Sequence, residues 1–450
     1  MTPASKNNGW LLAGLYNGLQ KLSVPIFGVI STMILAHRAL TKTEMGVWSL
    51  FLVTTSFVEL IRQALVKTSL IKYVNHSSKE DHKYVLSAAF FLNAVVTIVL
   101  IIILLLFAPY FSEILEAPEL ENMLYIFFAG MLLLIPFSHF EWIMYSKSQF
   151  SALFWTFFFR QGISLLLMVV YLIFNDKISL DQLVIFYCIG ILVGIAVAYR
   201  NVKQHLQNTF VLSMEWLKRL WHFGKYVFGS GLSTLVFANA SQLMLSPILG
   251  STLFTASQSV AARVINLADM PSQVLSDMLF PKSARKEIAQ NKEIIKYYYE
   301  KTVGATLCFT IPMVLFIILF PKFIILVIAG PQYLDAIPYL QLISLSGIFL
   351  AFLKHFGVIL DSTGKPNINF ITITVIAFVH VIFTYWFIKE FGFIGAAYAL
   401  LCSHVVGFFI TQILLYKYFG IHFFNCFKHA FRFYPELTKM VLDKAQWKKN

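Results

Sequence analysis

Residues 86–107 carry no charged side chain, and neither do residues 303–320. About 20 apolar residues wound as a helix cross a hydrocarbon core of roughly 30 Å. Similar runs recur along the whole chain. With 58% hydrophobic residues, 13% charged residues and a mean hydropathy of +0.73, the chain holds far more apolar surface than a soluble core of 450 residues needs. A membrane β-barrel would show short alternating segments instead. The class that remains is an all-α polytopic membrane protein.

Twelve spans are expected, at residues 10–35, 46–66, 84–107, 124–145, 153–174, 183–199, 226–249, 253–279, 303–326, 339–360, 370–387 and 393–416. The second and eighth have the weakest hydropathy, because they hold Arg62 and Arg263.

The net charge of +13 raises the question of nucleic acid, and its distribution answers it. One set of loops holds Lys6, the lysines from Lys67 to Lys83, Lys147, the cluster from Arg200 to Lys225, the cluster from Lys282 to Lys301, Lys365 and the tail. The opposite set holds only Arg38, Lys42, Lys177, Lys322 and Lys389. Lysine and arginine collect on the cytoplasmic side of a membrane. Both termini are therefore expected in the cytoplasm, and the charge is a topology signal that leaves no role for nucleic acid.

The polar link 200–225 follows the sixth span and suggests two six-helix bundles, 1–206 and 207–418, with a basic-aromatic cytoplasmic tail at 419–450. That tail alternates Phe423, Phe424, Phe427 and Phe431 with Lys428 and Arg432, which reads either as a helix on the inner leaflet or as a solvated segment. The longest loop on the other side, 108–121, is too short for a folded domain. No cleavable leader is evident, since the first apolar segment is long and continues into the fold. Cys188, Cys308, Cys402 and Cys426 lack metal-ligand spacing and read as packing residues. There is no phosphate loop and no nucleophile with a nearby base, so neither an enzyme, a metal nor a cofactor is expected.

Charges inside spans are the informative residues, because each costs roughly 2.5–3.5 kcal/mol at mid-bilayer. In the first span Gly14, Asn17, Lys21, Pro25 and Gly28 fall on one helical face and present a cation to a hydrated space. Arg62 lies three residues from Glu59, a spacing that allows an intrahelical pair. Arg160 sits in the first turns of its span, where it can snorkel to the surface, and Lys354 beside His355 raises the same alternative. In the eighth span Arg263, Asn266, Asp269, Gln273 and Asp277 make a polar stripe that Pro271 permits to kink. Gln20, Asn239, Gln242 and Gln258 are amides suited either to sugar hydroxyls or to interhelical bonds. His380 and His404 suit a proton relay or simple packing, and Trp142, Trp155 and Tyr145 suit sugar rings or an interfacial belt.

The run 34–48, Ile-Leu-Ala-His-Arg-Ala-Leu-Thr-Lys-Thr-Glu-Met-Gly-Val-Trp, resembles the first corner of the polysaccharide exporters of the multidrug/oligosaccharidyl-lipid/polysaccharide (MOP) superfamily, through Arg38, Leu40, Glu44, Gly46 and Trp48. The stretches 361–366 and 391–397 are similar to that family across its last two spans. The resemblance implies two six-helix bundles around a central cavity and export of lipid-linked oligosaccharide across the inner membrane.

Basic residues in the spans favour an anionic ligand, as in the O-antigen and capsule repeat-unit flippases. On that resemblance Lys21, Arg62, Arg160, Arg263 and Lys354 are the expected cavity cations. Asn17, Gln20, Glu59, Asn239, Gln242, Gln258, Asn266 and Asp269 are the expected polar lining. Arg263 would meet a pyrophosphate, unless it only pairs with Asp269 or Asp277. The implied partners are a polyprenyl-linked oligosaccharide, membrane lipids and polysaccharide-assembly enzymes. A cation-coupled drug exporter and a membrane-embedded polymerase or glycosyltransferase are the competing readings.

Overall fold

The computed structural model describes residues 3–78, 80–206, 210–283, 288 and 291–433; within them some side chains, including those of Asn17, Lys21 and Asp277, lie outside the described set. The described chain is helical, with no strand among the described residues. Its first unit comprises Met1–Val260 and Ile328–Gln332, and its second Ala261–Val327 and Tyr333–Asn450. The link after the sixth span thus does not end the first unit, which continues through the next helix to Val260.

The first unit holds α1 (Pro3–Ile34), α2 (Lys42–Arg62), α3 (Thr68–His76), α4 (His82–Ile114), α5 (Glu119–Ser146), α6 (Phe150–Phe174), α7 (Leu180–Val202) and α8 (Met214–Leu249). Local chemistry sets several of the boundaries. Thr41 and Glu44 form a capping box that starts α2, and Ser179 and Gln182 form one that starts α7. Gly250 adopts φ +65° and stops α8, a left-handed conformation that a side chain would strain. Two π-helical turns, Leu35–Ala39 and Gln63–Lys67, join α1 to α2 and α2 to α3.

The corner at 40–46 and the corner at 249–252 pack against each other. A Cβ on Gly46 would lie 2.1 Å from the Thr252 carbonyl oxygen, and the Thr252 hydroxyl donates to the Thr43 carbonyl at 3.1 Å. Three of the residues that carry the family resemblance therefore have structural work: Glu44 caps, Gly46 allows a close approach, and Trp48 stacks on Phe51. Trp142 is fully buried among Leu65, Leu70, Val85 and Leu220, which removes it from any belt or sugar platform.

The eighth span is two helices, α9 (Leu253–Ala268) and α10 (Met270–Ser283), rather than one kinked helix. α9 closes with the Asp269 N–H on the Ile265 carbonyl, and α10 opens with the Gln273 N–H on the Asp269 carbonyl. Pro271 sits at the start of α10, where its missing N–H has no intrahelical bond to lose. Among the described residues eleven other helical stretches are long and apolar enough to cross a membrane.

The second unit continues with α11 (Lys292–Leu319), α12 (Pro321–Ile328, its last residue grouped with the first unit), α13 (Ala336–Ser362), α14 (Pro366–Phe391) and α15 (Phe393–Phe419). Its core gathers Leu279, Tyr299, Leu307, Phe352, Phe356, Phe408 and Leu415. Residues 423–433 of the tail form a further helix, α16, whose Cys426 and Ala430 belong to that same core. The described tail is thus neither solvated throughout nor merely laid on a surface. Large apolar side chains on the outer faces, such as Leu106 in α4 and Phe378 in α14, suit contact with lipid chains.

Candidate functional site

In the first unit most of the intramembrane charge is consumed internally. Arg62 is 1% exposed. Its Nε and Nη2 donate to Asn93 Oδ1 at 3.1 and 3.0 Å, and Nη2 also reaches the Leu134 carbonyl at 2.6 Å and Ser138 Oγ at 3.1 Å. Asn93 Nδ2 in turn donates to the Ile135 carbonyl at 3.0 Å. A guanidinium removed from water loses several kcal/mol of hydration, so it persists only with a shell of acceptors. Arg62 therefore ties α2 to α4 and α5, and the expected intrahelical pair with Glu59 gives way. Arg62 is enclosed by protein and does not line a wet cavity.

Glu59 binds Arg160 instead, Oε1 to Nη2 at 2.9 Å. Arg160 is 4% exposed, also donates to the Tyr187 hydroxyl at 2.8 Å and lies 4.6 Å from the centre of the Phe137 ring. It points inward rather than snorkelling. Gly190 and Gly194 of α7 make this possible: a Cβ on Gly190 would meet the Arg160 carbonyl at 2.4 Å, and one on Gly194 would meet the Arg160 Cβ at 3.2 Å. Small residues four apart admit this kind of close helix packing. Lys67, read from sequence as a loop residue, pairs with Glu141 at 2.9 Å and lies 4.0 Å over the Tyr145 ring.

The amides are less engaged. Gln20 Oε1 accepts a 3.4 Å contact from the Tyr145 hydroxyl, and Asn239 bonds back to the Leu235 carbonyl of its own helix at 3.0 Å. Gln242 is partly buried, and the Oε1 of buried Gln258 has no hydrogen-bond partner among the described residues. Lys21 and Asn17 keep their helical positions in α1, but their side chains lie outside the described residues.

In the second unit Asp269, at the break between α9 and α10, pairs with Lys354 of α13, and Gln273 adds a 3.4 Å contact to the same carboxylate oxygen. The alternative in which Asp269 neutralises Arg263 is not what the structure contains. A small cavity of about 20 Å³, room for about one water, lies beside this pair, lined by Asp269, Ser272, Thr310 and Ser344 among apolar neighbours. Arg263 itself is partly buried and has neither a hydrogen bond nor an ion pair among the described residues. Asn266, one turn on, is exposed. His355 bonds the Ala351 carbonyl at 2.7 Å and His380 meets Ser403 Oγ at 2.9 Å, contacts of packed histidines. Among the described residues no three His, Cys, Asp or Glu side chains gather as a metal site.

Sequence reasoning missed Asn93, Ser138, Tyr187 and Lys67. Asn93 carried a signal, as the one amide in the charge-free run 86–107. The glycine pair at 190 and 194 carried another.

Comparison with known proteins places this geometry. The family model described as "Polysaccharide biosynthesis protein" matches residues 34–338. An uncharacterized membrane protein of Methanocaldococcus jannaschii is 26% identical over 55% of this chain and 47% of its own length, so the match spans about half of that relative. An uncharacterized membrane protein in the cps region of Klebsiella pneumoniae is 18% identical over 89% of this chain and 81% of its own. Among solved structures, the inward closed conformation of the lipid II flippase MurJ superposes with a TM-score of 0.71 at 16% identity, covering 95% of this chain and 92% of that one. An inward-facing MATE family multidrug transporter of the MOP superfamily gives 0.68 at 15% identity, covering 90% and 94%. The fold is that of the MOP transporters, and with more than half its length matched by one family model, the chain belongs to the polysaccharide biosynthesis protein family.

Proposed function

We propose that this membrane protein is a flippase that carries a polyprenyl-pyrophosphate-linked oligosaccharide repeat unit from the cytoplasmic to the outer face of the inner membrane by alternating access, with both termini cytoplasmic. The observation that carries this reading is the state of Arg263. Arg62 and Arg160 are bonded within the first unit, and Lys354 is held by Asp269 within the second. Arg263 alone among these four is left with no partner among the described residues. An unpaired cation within a span is costly unless something is gained. A guanidinium binds phosphate oxygens two at a time and keeps its charge. The acids Glu59, Glu141 and Asp269 are each engaged by a cation, which argues against a site for organic cations in the described residues. The likeness in fold to a lipid II flippase supports a lipid-linked ligand independently of these charges.

The test is a chromosomal Arg263→Ala variant. Lipid-linked repeat units should accumulate on the cytoplasmic side while the amount of protein in the membrane stays near normal. Arg263→Lys should retain part of the export. Normal export by a stable Arg263→Ala variant would overturn the reading.

A further inference from the structure

We propose that the outward face of α16 is a binding surface for anionic phospholipid headgroups. Two faces of this helix differ in composition. Phe423, Cys426, Phe427 and Ala430 recur at three- and four-residue spacing and pack into the core of the second unit. Phe424, Lys428, Phe431 and Arg432 occupy the opposite face and are exposed, the two rings at 72% and 74%. Neither cation has a hydrogen bond or ion pair among the described residues.

The helix is held at one position along α11. Glu300, 5% exposed, accepts from the His422 N–H at 3.3 Å and from Asn425 Nδ2 at 3.0 Å, so a buried carboxylate secures the start of α16. A Cβ on Gly304 would meet His429 Cβ at 2.6 Å and the Cys426 carbonyl at 2.8 Å, so no larger residue fits that crossing. Phe433 lies against Phe309, ring centroids 6.3 Å apart. The contacts thus progress from residue 300 to residue 309 of α11. Over the same interval α11 changes character: Lys292, Glu293, Lys296, Glu300 and Lys301 lie at its start, and no charge follows from Thr302 to Leu319. α16 therefore straddles the step from water to hydrocarbon. A stripe of two rings and two cations at that depth is the composition that inserts rings among acyl chains and sets cations on lipid phosphates. The nearest carboxylate on α11, Glu300, is already engaged with the helix start, so the surface is left cationic.

Each cation near an anionic surface strengthens association about fivefold, so losing two should cost about 25-fold. Full-length protein in neutral detergent is titrated with phosphatidylglycerol, with phosphatidylcholine or with inorganic phosphate, and thermal unfolding and native mass spectrometry report binding. Phosphatidylglycerol should stabilise the protein and remain bound, while phosphatidylcholine and phosphate should do neither at the same concentration. Lys428→Gln with Arg432→Gln should weaken the phosphatidylglycerol response by about 25-fold without lowering the melting temperature in detergent alone. Lys428→Arg with Arg432→Lys should preserve the response. If the double variant folds poorly, each single variant should still show its own share of the loss by mass spectrometry. An unchanged phosphatidylglycerol response in these variants, or an equal response to inorganic phosphate, would overturn the proposal.

Discussion

Glu59 and Arg160 lie on different helices, about a hundred positions apart, and form an ion pair at 2.9 Å, while Arg62, one turn from Glu59 on the same helix, turns away to Asn93. One short stretch of α2 thus serves two separate polar contacts, one toward α6 and one toward α4 and α5. The pair should show coupling. Glu59→Gln and Arg160→Gln should each lower the melting temperature of the purified protein, and the double variant should lose less than the sum. A coupling of about 0.5–3 kcal/mol is the expected size for residues in contact; strict additivity would show that the pair contributes nothing.

Arg62 should behave unlike Arg263. Asn93→Ala leaves a buried guanidinium short of its main acceptor, which costs about 3–5 kcal/mol by analogy with broken buried pairs. Membrane abundance of Asn93→Ala and of Arg62→Ala should fall sharply, whereas Arg263→Ala should be present at a near-normal level. Quantitative immunoblotting of membrane fractions separates the two outcomes.

The Asp269–Lys354 pair assigns the rescue partner. Lys354→Gln strands a partly buried carboxylate, and adding Asp269→Asn should restore abundance. Adding Arg263→Gln to Lys354→Gln should not. A further fall in abundance on adding the arginine change would mean that Asp269 exchanges partners.

Gly46→Ala places a methyl group 2.1 Å from the Thr252 carbonyl oxygen, which is backbone and cannot rotate aside. Separation of the two corners should cost about 1–3 kcal/mol, as overpacked sites do, read as a lower melting temperature. Gly18→Ala, where no atom lies within 4 Å of the added carbon, is the matched control and should have little effect.

The tail is a test of docking as well as of lipid. Cys426 is fully buried, and burial, followed by the negative charge of Glu300, raises its thiol pKa. Only an accessible thiolate reacts, so the folded protein should leave the enclosed Cys426 unlabelled at neutral pH. Glu300→Ala should release α16 and expose the thiol, seen by peptide mapping after maleimide treatment. Truncation after Gly420, harmless if only the spans matter, should instead destabilise the second unit, because Cys426 and Ala430 leave its core.

What was legible in the sequence was whatever depends on composition along one segment. Charge-free runs of bilayer length revealed the helices, since the hydrocarbon tolerates little else. Lysine and arginine counts on alternate loops set the expected orientation, and the corner around Glu44 and Gly46 pointed to the family. What only the tertiary structure decided was which charges are spent. Arg62 has Glu59 one turn away and Arg160 has none in sequence, yet the fold gives Arg160 the carboxylate and leaves Arg62 to amide and carbonyl oxygens. The same holds for Asp269, whose partner lies on α13 rather than along its own stripe. Spacing along a helix names the groups that share a face. The partner across the interface depends on how closely two backbones approach, which here rests on glycines at 190, 194 and 304 and on the break at Asp269.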